Sequence, residues 1–222
     1  QLAASGLAGV WAHENTREAL WDAIARREVF GTTGTRLQVR VFGGFDFAES
    51  DLTRPDFAEH GYAKGVAMGG DLKQAPAGKA PAFMMQALRD PDGANIDRIQ
   101  IVKGWLDASG QTQEKVYDVA WSDSDSRKVG SDGKVPSVGT TVDEKEATYT
   151  NTIGAPSLTG YWQDPEFNPK LKAFYYVRVL EIPTPRWLAY DRKNYNLYDV
   201  MPKDLLYSSQ ERAYASPIWY QP

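Results

Sequence analysis

Each of the two histidines in the chain stands next to a glutamate, in the pairs His13-Glu14 and Glu59-His60. Imidazole and carboxylate groups serve as general acids and bases, and they also bind metal ions. A catalytic zinc or a two-metal centre needs three or more nitrogen or oxygen ligands, and no spacing in the sequence brings these two pairs together. We therefore predict no complete metal site within this chain.

The pair His13-Glu14 lies between two predicted elements. Residues 7–12 form a short apolar run that predicts a buried strand. Asn15 has the position of a helix N-cap, and Glu18 stands at the capping-box spacing from it. Functional groups occupy the carboxyl ends of strands in α/β sheets and barrels, which favours a site at His13-Glu14. The alternative, which stays open, is that Glu14 only interacts favourably with the helix N-terminus.

The predicted helix is amphipathic, because Leu20, Trp21 and Ile24 share one face and Gly31 ends the pattern. A strand followed by a helix is the building unit of α/β folds. One such unit cannot bury both of its faces alone. We therefore predict that residues 1–34 are the last strand and helix of a larger α/β domain.

After Gly34 the hydrophobic pattern changes to the alternation of strands. The predicted strands cover residues 36–41, 83–88, 98–106, 114–121 and 174–182, and "DASGQT" joins the third and fourth as a hairpin. Residues 43–81 are loop-rich, and 140–170 and 183–212 are weakly periodic. Several strands separated by turns predict an antiparallel β-sandwich-like domain over residues 35–222. The predicted fold class is therefore α+β overall.

Two other sequence patterns were candidates for ligand binding. Asp123, Asp125 and Asp132 suggest a calcium loop, but Arg127 stands where its third acid belongs. A solvated loop is therefore the favoured interpretation. The glycine-rich stretches lack the phosphate-loop spacing, and the chain has no G-x-S-x-G sequence, so neither a nucleotide site nor a serine-nucleophile elbow is predicted.

The tryptophans have two possible roles. Trp105, Trp162 and Trp187 either fill the core, which is the commoner use of such side chains, or stack on sugars.

The composition is that of a globular protein, with 42% hydrophobic residues and a net charge of −4. No cluster of Lys and Arg suggests binding to nucleic acid, and no apolar run is long enough for a membrane span. The chain has no Cys, which excludes disulfides but leaves the compartment open, a periplasmic or secreted location included. It also lacks an initiator Met, so we expect it to begin at a processing or cleavage site.

Long stretches of the sequence resemble one bacterial family. They are "SGLAGVWAHENTREALWDAIARREVFGTTGTRLQVRVFGG", "GYAKGVAMGGDL", "LRDPDGANIDRIQIVKGWLD", "YTNTIGAPSL", "FYYVRVLEIPTPRW" and "QERAYASPIWYQP". In this order they are similar to the C-terminal part of a family described as a domain of unknown function. Its full-length members carry an upstream half similar to the PHP (polymerase and histidinol phosphatase) metallohydrolases.

This resemblance implies a function for the complete protein. It implies a metal-dependent hydrolase, of phosphate or sulfate esters, in which an upstream barrel holds divalent Zn, Mn or Fe and this chain alone holds none. Residues 1–34 would close that barrel, and the partners would be the upstream half and a small anionic ester. The "WAHENTRE" motif implies His13 and Glu14 as catalytic residues and Asn15 and Arg17 as substrate-binding residues. The family pattern has Glu where this chain has His13, which makes Glu14, Asn15 and Arg17 the closer matches.

Two alternatives remain at this level. The β-sandwich-like domain would be a non-catalytic binding module for a glycan or a protein, using Trp105, Trp162 or Trp187. Otherwise the chain would have a purely structural role as a stable remnant of a larger protein.

Overall fold

The computed structural model describes residues 6–202 and 204–222. Residues 1–5, with which the predicted first domain begins, lie outside the described residues. The strands are β1 Leu7–Val10, β2 Val29–Thr32, β3 Gln38–Gly44, β4 Val66–Ala67, β5 Asp71–Lys73, β6 Ala82–Leu88, β7 Ile96–Leu106, β8 Thr112–Trp121, β9 Ser157–Gln163, β10 Ala173–Pro185, β11 Ser208–Ala215 and β12 Ile218–Gln221. The helices are α1 Arg17–Ala25, α2 Phe57–Lys64 and α3 Trp187–Asn194, with a short 3₁₀ helix at Glu49–Thr53.

The larger sheet is organised around β10, the longest strand at 13 residues. One edge of β10 pairs with β7, which pairs in turn with β8. The other edge pairs with β12 near its start and with β11 near its end. Strand β11 continues to β2 and β1, and β12 continues to β5, its only parallel neighbour among the described pairs. The predicted hairpin around "DASGQT" is confirmed by the antiparallel pairing of β7 with β8.

The smaller sheet has the order β4-β3-β6-β9, and all its pairs are antiparallel. Its inner face packs on the larger sheet around a common core to which Val39 and Met85 contribute from one sheet and Val177 and Val179 from the other. Successive side chains of a strand point to opposite faces of its sheet, so every second residue of these strands points into the common core. The predicted antiparallel β-sandwich-like fold is confirmed.

The outer face of the smaller sheet has a cover of its own. Phe57 of α2 and Phe47, which precedes the 3₁₀ helix, pack there against Phe42 and Met84. Gly61 lets α2 approach the sheet closely, since a Cβ at this position would lie 2.5 Å from the Phe42 ring. This packing fixes the position of the α2 residues that face the N-terminal segment.

The N-terminal strand differs from its prediction. The strand ends at Val10 rather than at residue 12, and it pairs antiparallel with β2 as part of the larger sheet. The rule for carboxyl ends of parallel strands therefore does not apply to His13 and Glu14 in this sheet. Whether residues 1–34 also belong to another domain stays a prediction.

Helix α1 begins one residue later than predicted. Thr16, not Asn15, is the N-cap, and its hydroxyl accepts a hydrogen bond from the Ala19 amide at 3.3 Å. The apolar stripe is largely exposed, since Trp21 is 68% and Ile24 50% accessible to solvent. Only Ala23 of this helix is buried, so the described residues leave its apolar face uncovered.

The loop-rich and weakly periodic stretches contain further elements. Residues 43–81 hold the 3₁₀ helix, α2, β4 and β5, and the two later stretches hold β9, α3 and β11. These are short or polar elements, which tertiary contacts stabilise more than their own periodicity does. No helix in the described part of the chain has the length and apolar character needed to cross a membrane.

Candidate functional site

A cavity of about 540 Å³ lies where the segment after β1 meets α2 and β3. We call it the arginine pocket. Its lining side chains include three arginines, and its lining residues are Trp11, Ala12, His13, Arg26, Arg27, Glu28, Arg40, Tyr62 and Gly65 to Gly70. The pocket thus joins two of the sequence stretches that resemble the family.

Close backbone contact forms one wall of the arginine pocket. Gly69 has a φ of +85°, and a Cβ there would lie 2.2 Å from the carbonyl oxygen of Arg27. Only glycine permits both this conformation and this approach. Arg27 itself has a φ of 62° as the chain turns from α1 into β2. The glycine-rich "GYAKGVAMGG" segment therefore holds the turn that carries Arg26 and Arg27.

Arg40 lies among aromatic rings. Its guanidinium carbon is 4.4 Å from the centroid of the Trp11 ring and 5.5 Å from that of Tyr62. The Trp11 indole is itself fixed, because its Nε1 donates a hydrogen bond to the Val39 carbonyl at 2.9 Å. Cation–π contacts of this kind stabilise a cation without neutralising it. The aromatic rings thus hold the Arg40 guanidinium at the pocket.

The pocket has one acidic lining residue, Glu28, which is buried. The Tyr62 hydroxyl donates a hydrogen bond to Glu28 Oε1, and Arg40 donates one to the Tyr62 hydroxyl at 3.1 Å. Burial, followed by the hydrogen bond to Glu28, raises the pKa of Tyr62 above its ordinary value. Arg26 lies 3.5 Å from the other Glu28 oxygen. Both carboxylate oxygens of Glu28 therefore have a partner within the pocket.

The four residues predicted from the "WAHENTRE" motif do not share one cavity. His13 is exposed and lines the arginine pocket. Asn15 and Arg17 line a separate open hollow beside Trp21 on α1. Glu14 lines neither of these two cavities, and one of its oxygens accepts a hydrogen bond from the Thr16 hydroxyl at 3.2 Å.

The second histidine has a local partner. His60 Nε2 lies 3.2 Å from Asp51 Oδ1, which ties α2 to the 3₁₀ helix, and His60 does not line the arginine pocket. The Ala48 amide, and after it His60, hold the pKa of Asp51 below its ordinary value. Within residues 6–202 and 204–222, no three His, Cys, Asp or Glu side chains are placed to hold a metal ion.

The loop that suggested calcium binding is held by an arginine. The Arg127 guanidinium donates hydrogen bonds to Asp97 at 2.6 Å and to the Ser122 hydroxyl at 3.0 Å. Arg127 thus anchors the loop to β7 from the position where a calcium loop would need an acid.

The three tryptophans considered for sugar binding have different surroundings. Trp162 packs against the core with its ring centroid 4.8 Å from that of Tyr117. Trp105 also packs at the edge of the core, beside Lys103. Trp187 begins α3 and is 40% exposed.

Sequence reasoning missed most of the arginine pocket. Arg26 and Arg27 look like ordinary solvated residues at a helix end, and Arg40 looks like an ordinary outward residue of a strand. The available signal was the glycine-rich segment, since closely spaced glycines indicate a close backbone approach. That signal does not identify which arginines stand opposite.

The fold and the pocket define the class of the protein as an antiparallel β-sandwich-like domain with an arginine-lined cavity. The chain belongs to the family described as Protein of unknown function (DUF3604), whose model matches residues 1–222. Neither the curated proteins nor the solved structures include a match to this chain.

Proposed function

We propose that this chain forms the anion-recognising side of a PHP-like, metal-dependent hydrolase of phosphate or sulfate esters. The arginine pocket is the observation that carries this proposal. Its lining includes three arginines and one glutamate, and Arg27 also pairs with Asp71, so the pocket has a local excess of one positive charge in a chain of net charge −4. A concentrated positive charge in a concave site attracts small anions.

The pocket residues suit contact with an ester anion. Arg26 and Arg27 are 47% and 56% exposed, so solvent reaches both guanidinium groups. Arg26 pairs with Glu28 at 3.5 Å and Arg27 with Asp71 at 3.4 Å, and an ester anion would compete with these two carboxylates. Guanidinium donates paired hydrogen bonds whose geometry matches phosphate and sulfate oxygens. His13 lines the same cavity, and imidazole is a common general acid or base in enzymes.

The described residues do not provide a metal centre, because no suitable group of ligands is present among them. Zn, Mn or Fe would bind to the upstream half that the family resemblance implies.

Helix α1 is the proposed contact with the upstream half. Its exposed Trp21 and Ile24 form an apolar face, which supports a partner on this side of the chain. Glu14, Asn15 and Arg17 precede or begin the same helix. They remain proposed cleft residues that such a partner would bring close to the substrate.

Sulfate binding to this chain tests the proposal. We expect sodium sulfate at low millimolar concentration, too dilute for the general stabilising effect of this salt, to raise the melting temperature above that in sodium chloride of equal ionic strength, because a ligand stabilises the state that binds it. The double variant Arg26→Ala and Arg27→Ala should lose most of this difference. In the complete protein the same variant should raise the KM for p-nitrophenyl phosphate or sulfate by about tenfold or more.

Arg54→Ala provides the control, because it removes an arginine that is 41% exposed, pairs with Asp56 and lies outside the pocket. This variant should respond to sulfate as the wild type does. A sulfate response that is unchanged in the double variant, or lost equally in Arg54→Ala, would contradict a role for the pocket in anion recognition.

A further inference from the structure

A second cavity, of about 600 Å³, lies on the outer face of the larger sheet where β7, β8, β10 and β12 meet. We call it the aromatic groove. The register places Phe174 of β10 opposite Gly104 on one side and opposite Trp219 on the other, so these residues share one face. None of them contributes to the arginine pocket.

The floor of the aromatic groove is a row of rings. A Cβ at Gly104 would lie 2.3 Å from the tip of the Phe174 ring, so this ring lies across β7 in the space that the glycine leaves. The Phe174 and Trp219 centroids are 5.2 Å apart, and the ring of Tyr176, which does not line the groove, is within 11° of parallel to that of Phe174. Trp219 is 41% exposed, so its ring remains available to a ligand.

The sides of the groove are polar and carry balanced charge. Glu114 on β8 and Lys172 just before β10 supply one negative and one positive group, and Thr112 and Gln221 supply uncharged ones. Hydrogen-bond donors and acceptors therefore border the aromatic floor, and their formal charges cancel. This balance disfavours a nucleic acid or an anionic lipid surface, which would need an excess of cations.

We propose that the aromatic groove binds a neutral carbohydrate chain. The apolar C–H face of a pyranose packs on an aromatic ring, while its equatorial hydroxyls need donors and acceptors at the side. Phe174 and Trp219 supply the rings, and Glu114, Lys172 and Gln221 supply the hydrogen bonds. The site is independent of the arginine pocket, with which it shares no lining residue.

Native affinity electrophoresis of this chain tests the proposal, with dextran, xylan and barley β-glucan as neutral probes and alginate as an acidic one. We expect retardation by at least one neutral polysaccharide. Trp219→Ala should weaken it by about tenfold or more, because a stacked aromatic anchor dominates such contacts. Trp21→Ala is the matched control, since it removes a more exposed tryptophan on α1.

Several other results would contradict the binding of a neutral glycan in the aromatic groove. Absence of retardation by every neutral probe, retardation by alginate alone, or equal losses in Trp219→Ala and Trp21→Ala would overturn the proposal. Light scattering gives one further contradicting result, a dimer of this chain that Trp219→Ala converts to a monomer, because a second copy would then occupy the groove.

Lys172→Met provides a second variant. Lys172 is exposed, so this substitution should weaken polysaccharide binding without disturbing the core.

Discussion

At the scale of single residues, Glu181 is a carboxylic acid side chain buried in the protein. It lies on β10 at a shift in register, is buried, and accepts a hydrogen bond from the Thr35 hydroxyl at 2.7 Å. Burial raises its pKa from 4.5 to about 7, and the nearby Glu211 and Asp90 contribute in the same direction. The folded protein therefore holds a proton on Glu181 at pH values where the unfolded chain has lost it.

This raised pKa makes stability depend on pH. Because the pKa is higher in the folded state, the stabilising contribution is complete below about pH 4.5 and is lost as pH rises through about 7. Glu181→Gln should therefore gain stability relative to the wild type, by about 2 to 3 kcal/mol, between pH 5 and pH 8.5. Urea unfolding at both pH values measures this difference.

Glu114→Gln, at an exposed position, is the control for this comparison. The difference in free energy of unfolding between this variant and the wild type should stay nearly constant with pH. An equally flat response from Glu181→Gln would show that Glu181 ionises inside the fold at its ordinary pKa.

At the scale of elements, the start of α1 distinguishes two adjacent polar residues. Thr16 has the extended backbone of an N-cap and bonds the Ala19 amide, whereas Asn15 stands outside the helix. Both residue types are good N-caps, so the sequence favours neither strongly. The path of the chain from β1 to α1 places Thr16, rather than Asn15, at the N-cap position.

Replacing each of the two residues by alanine tests this assignment. Thr16→Ala should lower the free energy of unfolding by about 1 kcal/mol, because an amide in the first turn loses its partner. Asn15→Ala, the neighbouring control, should cost less than about 0.5 kcal/mol, as exposed substitutions usually do. Denaturant unfolding of both variants gives the answer, and a larger loss for Asn15→Ala would restore the capping box predicted from the sequence.

At the scale of the whole molecule, a buried ionic network joins distant segments. Asp97 on β7 accepts hydrogen bonds from Arg98 at 3.0 Å, from Arg127 at 2.6 Å and from Gln210 on β11 at 3.0 Å. Arg98 also bonds Asp118 on β8 at 3.0 Å. The network thus connects three strands with the loop that follows β8.

Removing the central charge should destabilise the whole fold. Asp97→Asn is expected to cost about 3 to 5 kcal/mol, because it removes the carboxylate that pairs with the buried Arg127 and leaves Arg98 with Asp118 alone. Asp46→Asn removes the same charge from a pair with Lys79 whose side chains are 59% and 46% exposed, and it should cost less than about 1 kcal/mol. Urea midpoints compare the two variants, and equal losses would mean that the Asp97 network adds nothing beyond a surface pair.

The candidate site illustrates the limit of prediction from sequence. His13 was identified because histidine is rare in this chain and its chemistry is known. Arg40 and Tyr62 were not, because 22 residues separate them and only the packing of α2 on β3 brings them together. Spacing along the chain carries no information about such long-range contacts.

The sequence by itself determined the β-rich class, the hairpin of β7 and β8, and the central strand β10, because alternation of apolar residues is a local signal that one sheet face must satisfy. Only the tertiary structure decided that β1 joins the larger sheet through β2, that the apolar face of α1 is exposed, and that three arginines meet at one cavity. The first feature arises from the pairing of β2 with β11, two strands far apart in the chain, and the other two arise from how the helices pack on the sheets. Such pairing depends on how the two sheets close around their common core, and no single segment encodes it.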